Sequence, residues 1–558
     1  MSCSKKEFLQ YLTLALSSII VLLLATTRHI NVYDEGIILS NATRINYGQM
    51  IHRDFFANYG PAQFYIVAQL LKLSGGNFGA FKFYSLLVQT AIPLAVFRIL
   101  IKRCSAFVAF LGTAACLICL ATDHGPSGYP GYPALLATLI SAAWTIQLIL
   151  NGNAKNATCA GIWTAIAGLF RYDIGVFLLI ANGTSIALCL GREILFGDSF
   201  RRKSIQEFSR HLFIYVSCAA TPLLVALAWY AKNDAVDDFF QQIFYHALPN
   251  YKKDRNLPFP ALSDVQRDGI QTLVVYFPLI SGFIAARMML KRTTDSTIFA
   301  INAVFSVLMA GFFLKGSVRV SPIHMQMAIV PAIILIAVNY NPDRTPFWKG
   351  QVAHALSSAF LLVVVFDSGI ARLTSGRNTT VFHDITGFFS ALKRQDFIGP
   401  PPLPRNNGPN ESAAFWIGRG RWESLGILKG CTQDSDYLFS GLRNHDRVFI
   451  NDNVIYYLAG RRPVTKWSHF DPSLQTQRPI QEEIVRDLEL NKPPFLWIDA
   501  LWQNIGEPNN ASISSGVKIL DDYISSKYEI FSIRDNVGLL SRVGIKLTEN
   551  CMRARGSI

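Results

Sequence analysis

The sequence predicts an α-helical polytopic membrane protein with a C-terminal, extracytoplasmic α/β domain. Three observations carry that expectation. Charged residues make up only 16% of the 558 residues, against roughly 25% in a soluble globular chain. Hydrophobic residues reach 51% and mean hydropathy is +0.27, which excludes a disordered chain and argues against a soluble enzyme. About eleven apolar runs long enough for a bilayer crossing lie before residue 371, and none follows it.

The runs are 10–27, 81–101, 105–122, 132–150, 157–170, 173–190, 211–230, 270–289, 297–314, 323–340 and 353–370. The first ends Thr26-Thr27-Arg28 with no small-residue cleavage site, so it reads as an uncleaved membrane helix. Only Arg171-Tyr172-Asp173 separates the fifth from the sixth. Basic residues set the orientation. Lys5 and Lys6, Lys102 and Arg103, Lys155, the cluster Arg192 to Arg210, Lys291 and Arg292, and Arg344 and Lys349 all fall on one side if eleven spans alternate. The N-terminus is then cytoplasmic and residues 371–558 lie outside. Net charge is +14, and most of it falls in the membrane half. There it orients helices and meets anionic headgroups, so nucleic acid is not an expected partner.

The expected domains are 1–370, a transmembrane part with a long outer loop at 28–80; 371–404, a connector; and 405–558, a soluble domain. In the last, 447–451 and 494–499 have strand patterning, and 480–490 and 517–526 have helical periodicity. Two outer loops mix aromatics with carboxylates, around 54–66 and 237–245, a composition suited to the interface plane. Most of the nine cysteines fall in apolar runs, which disfavours a zinc ribbon or a disulfide framework. Cys431 and Cys551 could pair, though spacing alone does not decide it. Six N-x-S/T sequons begin at Asn41, Asn156, Asn182, Asn378, Asn410 and Asn510. They are scattered over loops, a cytoplasmic turn and a span. That scatter favours a bacterial inner membrane over a glycosylated surface protein.

The strongest local signal is Tyr33-Asp34-Glu35-Gly36, just beyond the first span. Adjacent carboxylates at a membrane surface are costly and mark function. Further acids and cations recur on the same side: Arg53 and Asp54, Asp123, Arg171 and Asp173, Lys315, Arg319 and His324. The set suits a reaction on a lipid-linked phosphate. A carboxylate would take a proton from an acceptor hydroxyl, and cations would stabilise the leaving phosphate. Ordinary loop charges near headgroups are the competing reading for any one of them.

The run Asp34-Glu35-Gly36, Ile45-Asn46-Tyr47-Gly48, then Arg53-Asp54-Phe55-Phe56-Ala57-Asn58-Tyr59-Gly60-Pro61 and Phe64-Tyr65 resembles the first outer loop of GT-C glycosyltransferases. The nearest flavour is the dolichyl-phosphate-mannose protein mannosyltransferase-like group, which includes the aminoarabinose lipid A transferases. Residues 160–175 and the stretch from Arg319 through His324 to Pro331 are similar to the same group, so the resemblance spans about 10–340. It implies an inverting hexosyl- or pentosyltransferase using a polyprenyl-phosphate sugar donor. The acceptor would be a glycolipid, polysaccharide or protein, in contact with membrane lipid. It implies Asp34 as catalytic base with Glu35 in support. Arg53, Lys82, Arg171, Arg319 and His324 are the implied phosphate ligands, and Asp54, Asp123 and Asp173 further site acids. Some members use a divalent cation; no ligand-spaced cluster here decides for or against one. The stretch 456–470 is similar to the tail domain of bacterial members, where it would handle acceptor or act as scaffold. The rival functions are a transporter or lipid flippase, and a non-catalytic scaffold. The first would need midplane charges and repeat symmetry.

Overall fold

The computed structural model describes residues 5–121, 126–196, 202–264, 270–291, 294–339 and 415–556. Ten of the eleven expected spans coincide with observed helices. Among the described residues seven helices are long and apolar enough to cross a membrane: Glu7–Leu24, Phe78–Leu100, Gly131–Asn151, Tyr172–Arg192, Gln206–Lys232, Leu273–Leu290 and Ser296–Gly316. Ala106–Ala121 and His324–Asn339 are apolar but shorter, as is Ala154–Phe170. The eleventh expected span and the 371–404 connector lie outside the described residues, as does Asp123. The chain divides into two compact units.

The first unit contains Met1–Thr26, Phe83–Ala228 and Pro258–Ile385. Four of its helices meet at a buried polar cluster. Ser141 Oγ lies 2.9 Å from Thr164 Oγ1, which lies 3.1 Å from the Tyr215 hydroxyl. Asn182 Nδ2 donates to Ser141 Oγ at 3.0 Å and to the Tyr215 hydroxyl at 3.2 Å. Such cross-links are worth about 0.6–2 kcal/mol each between membrane helices. The Asn182 sequon is therefore part of a bundle core. Gly161 allows the Ala154–Phe170 helix to close on the Arg202–Lys232 helix; a Cβ there would come within 2.7 Å of Cys218 Cβ.

The second unit contains Thr27–Lys82, Trp229–Leu257 and Thr386–Ile558. Its residues 27–82 form helices Asp34–Asn46 and Pro61–Leu73, the second opened by its proline. Its C-terminal part is an α/β domain. Strands β1 (Tyr437–Gly441), β2 (Arg462–Pro463), β3 (Phe495–Asp499), β4 (Tyr528–Arg534) and β5 (Val537–Arg542) form one sheet in the order β2-β1-β3-β5-β4. The β2-β1-β3 edge is parallel and the rest antiparallel. β3 is buried along its whole length; its apolar run Phe495–Ile498 suits two-sided burial, and Asp499 at its end is ion-paired with Arg421. Helices Arg478–Asn491 and Ile519–Lys527 match their periodicity and line the core with Ile480, Ile484, Leu488, Leu520 and Ile524. Phe56 belongs to that same core, with Trp467 and Phe470.

One expected strand is not in the sheet. Residues 447–451 run as an irregular segment, and β1 supplies the parallel partner of β3 instead. Val448 and Ile450 are buried as a strand would require. Side-chain bonds of the segment replace a ladder: Asn451 Nδ2 donates to Ser440 O and Ser468 O, each at 2.9 Å. Cys431 and Cys551 form a disulfide joining helix Arg419–Cys431 to helix Glu549–Gly556. By chain entropy, closing a loop of 120 residues stabilises by on the order of 5 kcal/mol.

Candidate active site

Asp34 and Glu35 open the Asp34–Asn46 helix, where carboxylates suit the positive end of the dipole. Asn31 fixes them both. Its Oδ1 accepts from the backbone N–H of Tyr33 at 3.0 Å and of Asp34 at 2.8 Å. Its Nδ2 donates to Asp34 Oδ2 at 3.1 Å, and its backbone N–H to Glu35 Oε2 at 3.2 Å. This is a reciprocal box of the capping kind, and it leaves Asp34 half-buried and Glu35 buried. The signal, an Asn three residues before an acid, is present in the sequence but was absent from the expected site.

Glu35 does more than support. Its Oε1 accepts from Lys82 Nζ at 2.5 Å, and both side chains are no more than 3% exposed. Lys82 also lies over the rings of Phe78 and Phe415. The structure therefore assigns Lys82 a carboxylate partner already in place.

Arg53 and Asp54 pair with each other, Nε to Oδ1 and Nη2 to Oδ2 both at 2.9 Å. Arg53 Nη1 also donates to Asn233 O at 3.1 Å, and its side chain is 41% exposed. The turn presenting them is unusual. His52 has φ +69°, uncommon for a residue with a Cβ. Buried Gln242, in the π-helical turn Gln241–Ala247, holds it there. Gln242 Nε2 donates to His52 O at 2.7 Å; its Oε1 lies 2.8 Å from His52 Nδ1 and accepts from Ala57 N–H at 3.2 Å. Nothing in the sequence pairs residue 52 with residue 242.

Tyr33 precedes the acid. Its hydroxyl donates to Phe470 O at 2.9 Å, lies 3.1 Å from His469 Nε2, and accepts from Arg255 at 3.3 Å. Arg255 is ion-paired with Asp471. Burial lowers the pKa of His52 and of His469 to about 4. Both are therefore neutral at physiological pH.

A pH prediction follows from those two histidines. Between pH 6.5 and about 4 the unfolded chain binds more protons than the folded one, so stability falls as pH falls. Each histidine contributes about 3 kcal/mol across that window. Asp452 acts in the opposite sense, because burial raises its carboxyl to about 6. Its contribution is present below pH 3.8 and is lost as pH rises through about 6. The two histidines outweigh it. The denaturation midpoint is expected to drop between pH 6.5 and 4, and the pair His52→Gln with His469→Gln to flatten the drop.

The first unit holds a second cluster. Arg171 grips Asp173 with Nε to Oδ1 at 3.1 Å and Nη2 to Oδ2 at 2.9 Å, and Lys315 Nζ reaches Oδ2 at 2.6 Å. Arg171 also donates to the Tyr129 hydroxyl and lies over its ring. Two cations on one carboxylate leave one net positive charge, which suits an anion. Tyr129 was not among the expected residues. His324 Nδ1 lies 2.7 Å from Ser321 Oγ, and Arg319 occupies the turn before helix Pro322–Asn339. Among the described residues no three His, Cys, Asp or Glu side chains converge as metal ligands.

The chain aligns with ArnT from Cupriavidus metallidurans over 97% of its own length and 99% of the length of ArnT. Identity is 12% and the TM-score 0.54 for the apo structure; the structure bound to undecaprenyl phosphate gives 10% and 0.53. The oligosaccharyltransferase of Archaeoglobus fulgidus, tethered with an acceptor peptide, covers 88% of this chain and 69% of its own at 10% identity and TM-score 0.47, too loose an overlap to argue from. No protein-family model matches, and no curated protein matches. At these identities the likeness establishes the fold. With its apolar helices, it makes the chain an integral membrane protein.

Proposed function

We propose that the protein is a membrane glycosyltransferase that moves a sugar from a polyprenyl-phosphate donor to an acceptor hydroxyl. The observation that carries this reading is Asp34, half-buried and fixed by Asn31 at the start of its helix, in a chain whose fold matches that of ArnT end to end. The undecaprenyl phosphate bound to ArnT supports a lipid phosphate as the leaving group here too. Asp34 takes the proton from the acceptor hydroxyl as its oxygen attacks the anomeric carbon. The bond from that carbon to the phosphate oxygen breaks, and the configuration inverts. The departing phosphate carries the electron pair, and cations stabilise it. Arg53, in the same unit as Asp34, is the exposed candidate for that role.

The C-terminal domain is placed outside the cytoplasm in this reading. Its disulfide supports that, since such bonds persist in oxidising compartments. The six free cysteines among the described residues, Cys104 to Cys218, all belong to the first unit. The bacterial inner membrane remains the proposed location.

The test is transfer of labelled sugar by purified protein from a panel of undecaprenyl-phosphate pentoses and hexoses. Transfer or donor hydrolysis from one member names the sugar and supports the class. A folded sample that turns over no donor, with lipid extracts supplied as acceptor, overturns the reading in favour of a transporter or scaffold.

A further inference from the structure

We propose that the C-terminal α/β domain is the positioning frame of the Asp34–Asn46 helix, acting through Asn451, Asn453 and His469. The inference rests on the reading of Asp34 as base. It assigns the tail a role toward that acid in place of acceptor handling.

The helix has 13 residues, a length that is marginal in isolation. Its geometry is therefore set by what grips it, and one stretch of the tail grips it in three places. Below the acid, the backbone N–H groups of Asn453 and Val454 both donate to Val32 O at 3.0 Å. Gly36 faces that turn so closely that a Cβ would meet Val454 N at 2.5 Å and Asn453 C at 2.9 Å. Beside the acid, the Tyr33 hydroxyl has one proton and gives it to Phe470 O. His469 must then donate from Nε2 to the Tyr33 oxygen, which fixes its tautomer. At the far end, Arg44 Nη1 donates to Thr465 O and Ser468 Oγ, each at 2.9 Å.

The grips form one piece. Asn451 Nδ2 donates to Ser440 O on β1 and to Ser468 O, and Asn451 Oδ1 accepts from Phe470 N–H at 3.0 Å and from Asn453 Nδ2 at 2.9 Å. One side chain thus ties the turn under Val32 to the loop beside Tyr33 and both to the sheet. A general base misplaced by about 1 Å can lose on the order of a hundredfold in rate. Asn451, Asn453, His469 and Tyr33 are therefore positioning residues and take no part in the chemistry.

The test uses the full chain in detergent, with Tyr33→Phe, His469→Leu and His469→Gln beside wild type. Glutamine keeps an N–H donor at the reach of Nε2. Two readouts are taken: amide hydrogen exchange over residues 34–46, and kcat with KM for the undecaprenyl-phosphate sugar that wild type turns over. Tyr33→Phe and His469→Leu are expected to speed exchange at the helix start by about tenfold or more, an opening confined to one element. They should lower kcat on the order of a hundredfold with KM within about twofold. His469→Gln should restore both. Unchanged exchange, or faster exchange with unchanged kcat, overturns the proposal. A wild type with no turnover, whose helix still loosens in these variants, leaves the grip standing and removes the transferase reading instead.

Discussion

Asp34→Asn is expected to lower turnover of the sugar donor by about a thousandfold while leaving the denaturation midpoint nearly unchanged. Proton transfer by a positioned base contributes typically 10²–10⁴-fold, and an amide cannot accept the proton. The change is otherwise small. Asparagine is isosteric with aspartate, and Asn31 Nδ2, which donates to Asp34 Oδ2 at 3.1 Å, can donate equally to an amide oxygen. The backbone bond from Asp34 N–H to Asn31 Oδ1 does not involve the substituted group. What is lost from the fold is a charge at a helix N-terminus, worth about 0.3–1 kcal/mol. Activity and stability are thus predicted to separate. A transporter or scaffold would turn over no donor in either form, and its midpoint would be equally unchanged. A variant that retains full transfer would move the base elsewhere, with half-buried Asp471 beside Arg255 the first alternative to try.

The fold was legible because its signals are long and periodic. Ten apolar runs became helices, and the run 494–499 became the buried strand β3. The misread stretch, 447–451, shows the limit of such patterns. Alternation of Val448 and Ile450 reports burial, which occurs, but not ladder pairing, which does not. At the site, the acid pair stood out by its cost at a membrane surface. Its partners did not, because contacts such as Glu35 with Lys82, Tyr33 with His469 and His52 with Gln242 join residues 47, 436 and 190 positions apart. A single sequence carries no record of such pairs. Asn31 is the exception: its box with Asp34 is local and readable by spacing.

Breaking the buried Glu35–Lys82 pair is expected to have the largest effect on stability. Glu35→Gln leaves the Lys82 ammonium buried without its counter-charge, and Lys82→Met leaves the carboxylate so. Removal of one partner of a buried pair typically costs about 3–5 kcal/mol. Removal of both is often near neutral, since the desolvation penalty disappears with the charges. Glu35→Leu with Lys82→Met should therefore recover most of the midpoint lost by either single change. The surroundings favour that outcome, because Phe78 and Phe415 already flank the ammonium. The double variant also separates two roles for Lys82. If the lysine acts only by holding Glu35, and through it the start of the Asp34 helix, the double variant regains kcat along with its stability. If the ammonium instead meets the donor phosphate during turnover, the double variant is folded yet keeps a raised KM for the donor. A double variant as unstable as its parents would show that the pair is held by more than its own charges. Asn31, whose backbone N–H donates to the other oxygen of Glu35 at 3.2 Å, would then be the next group to change.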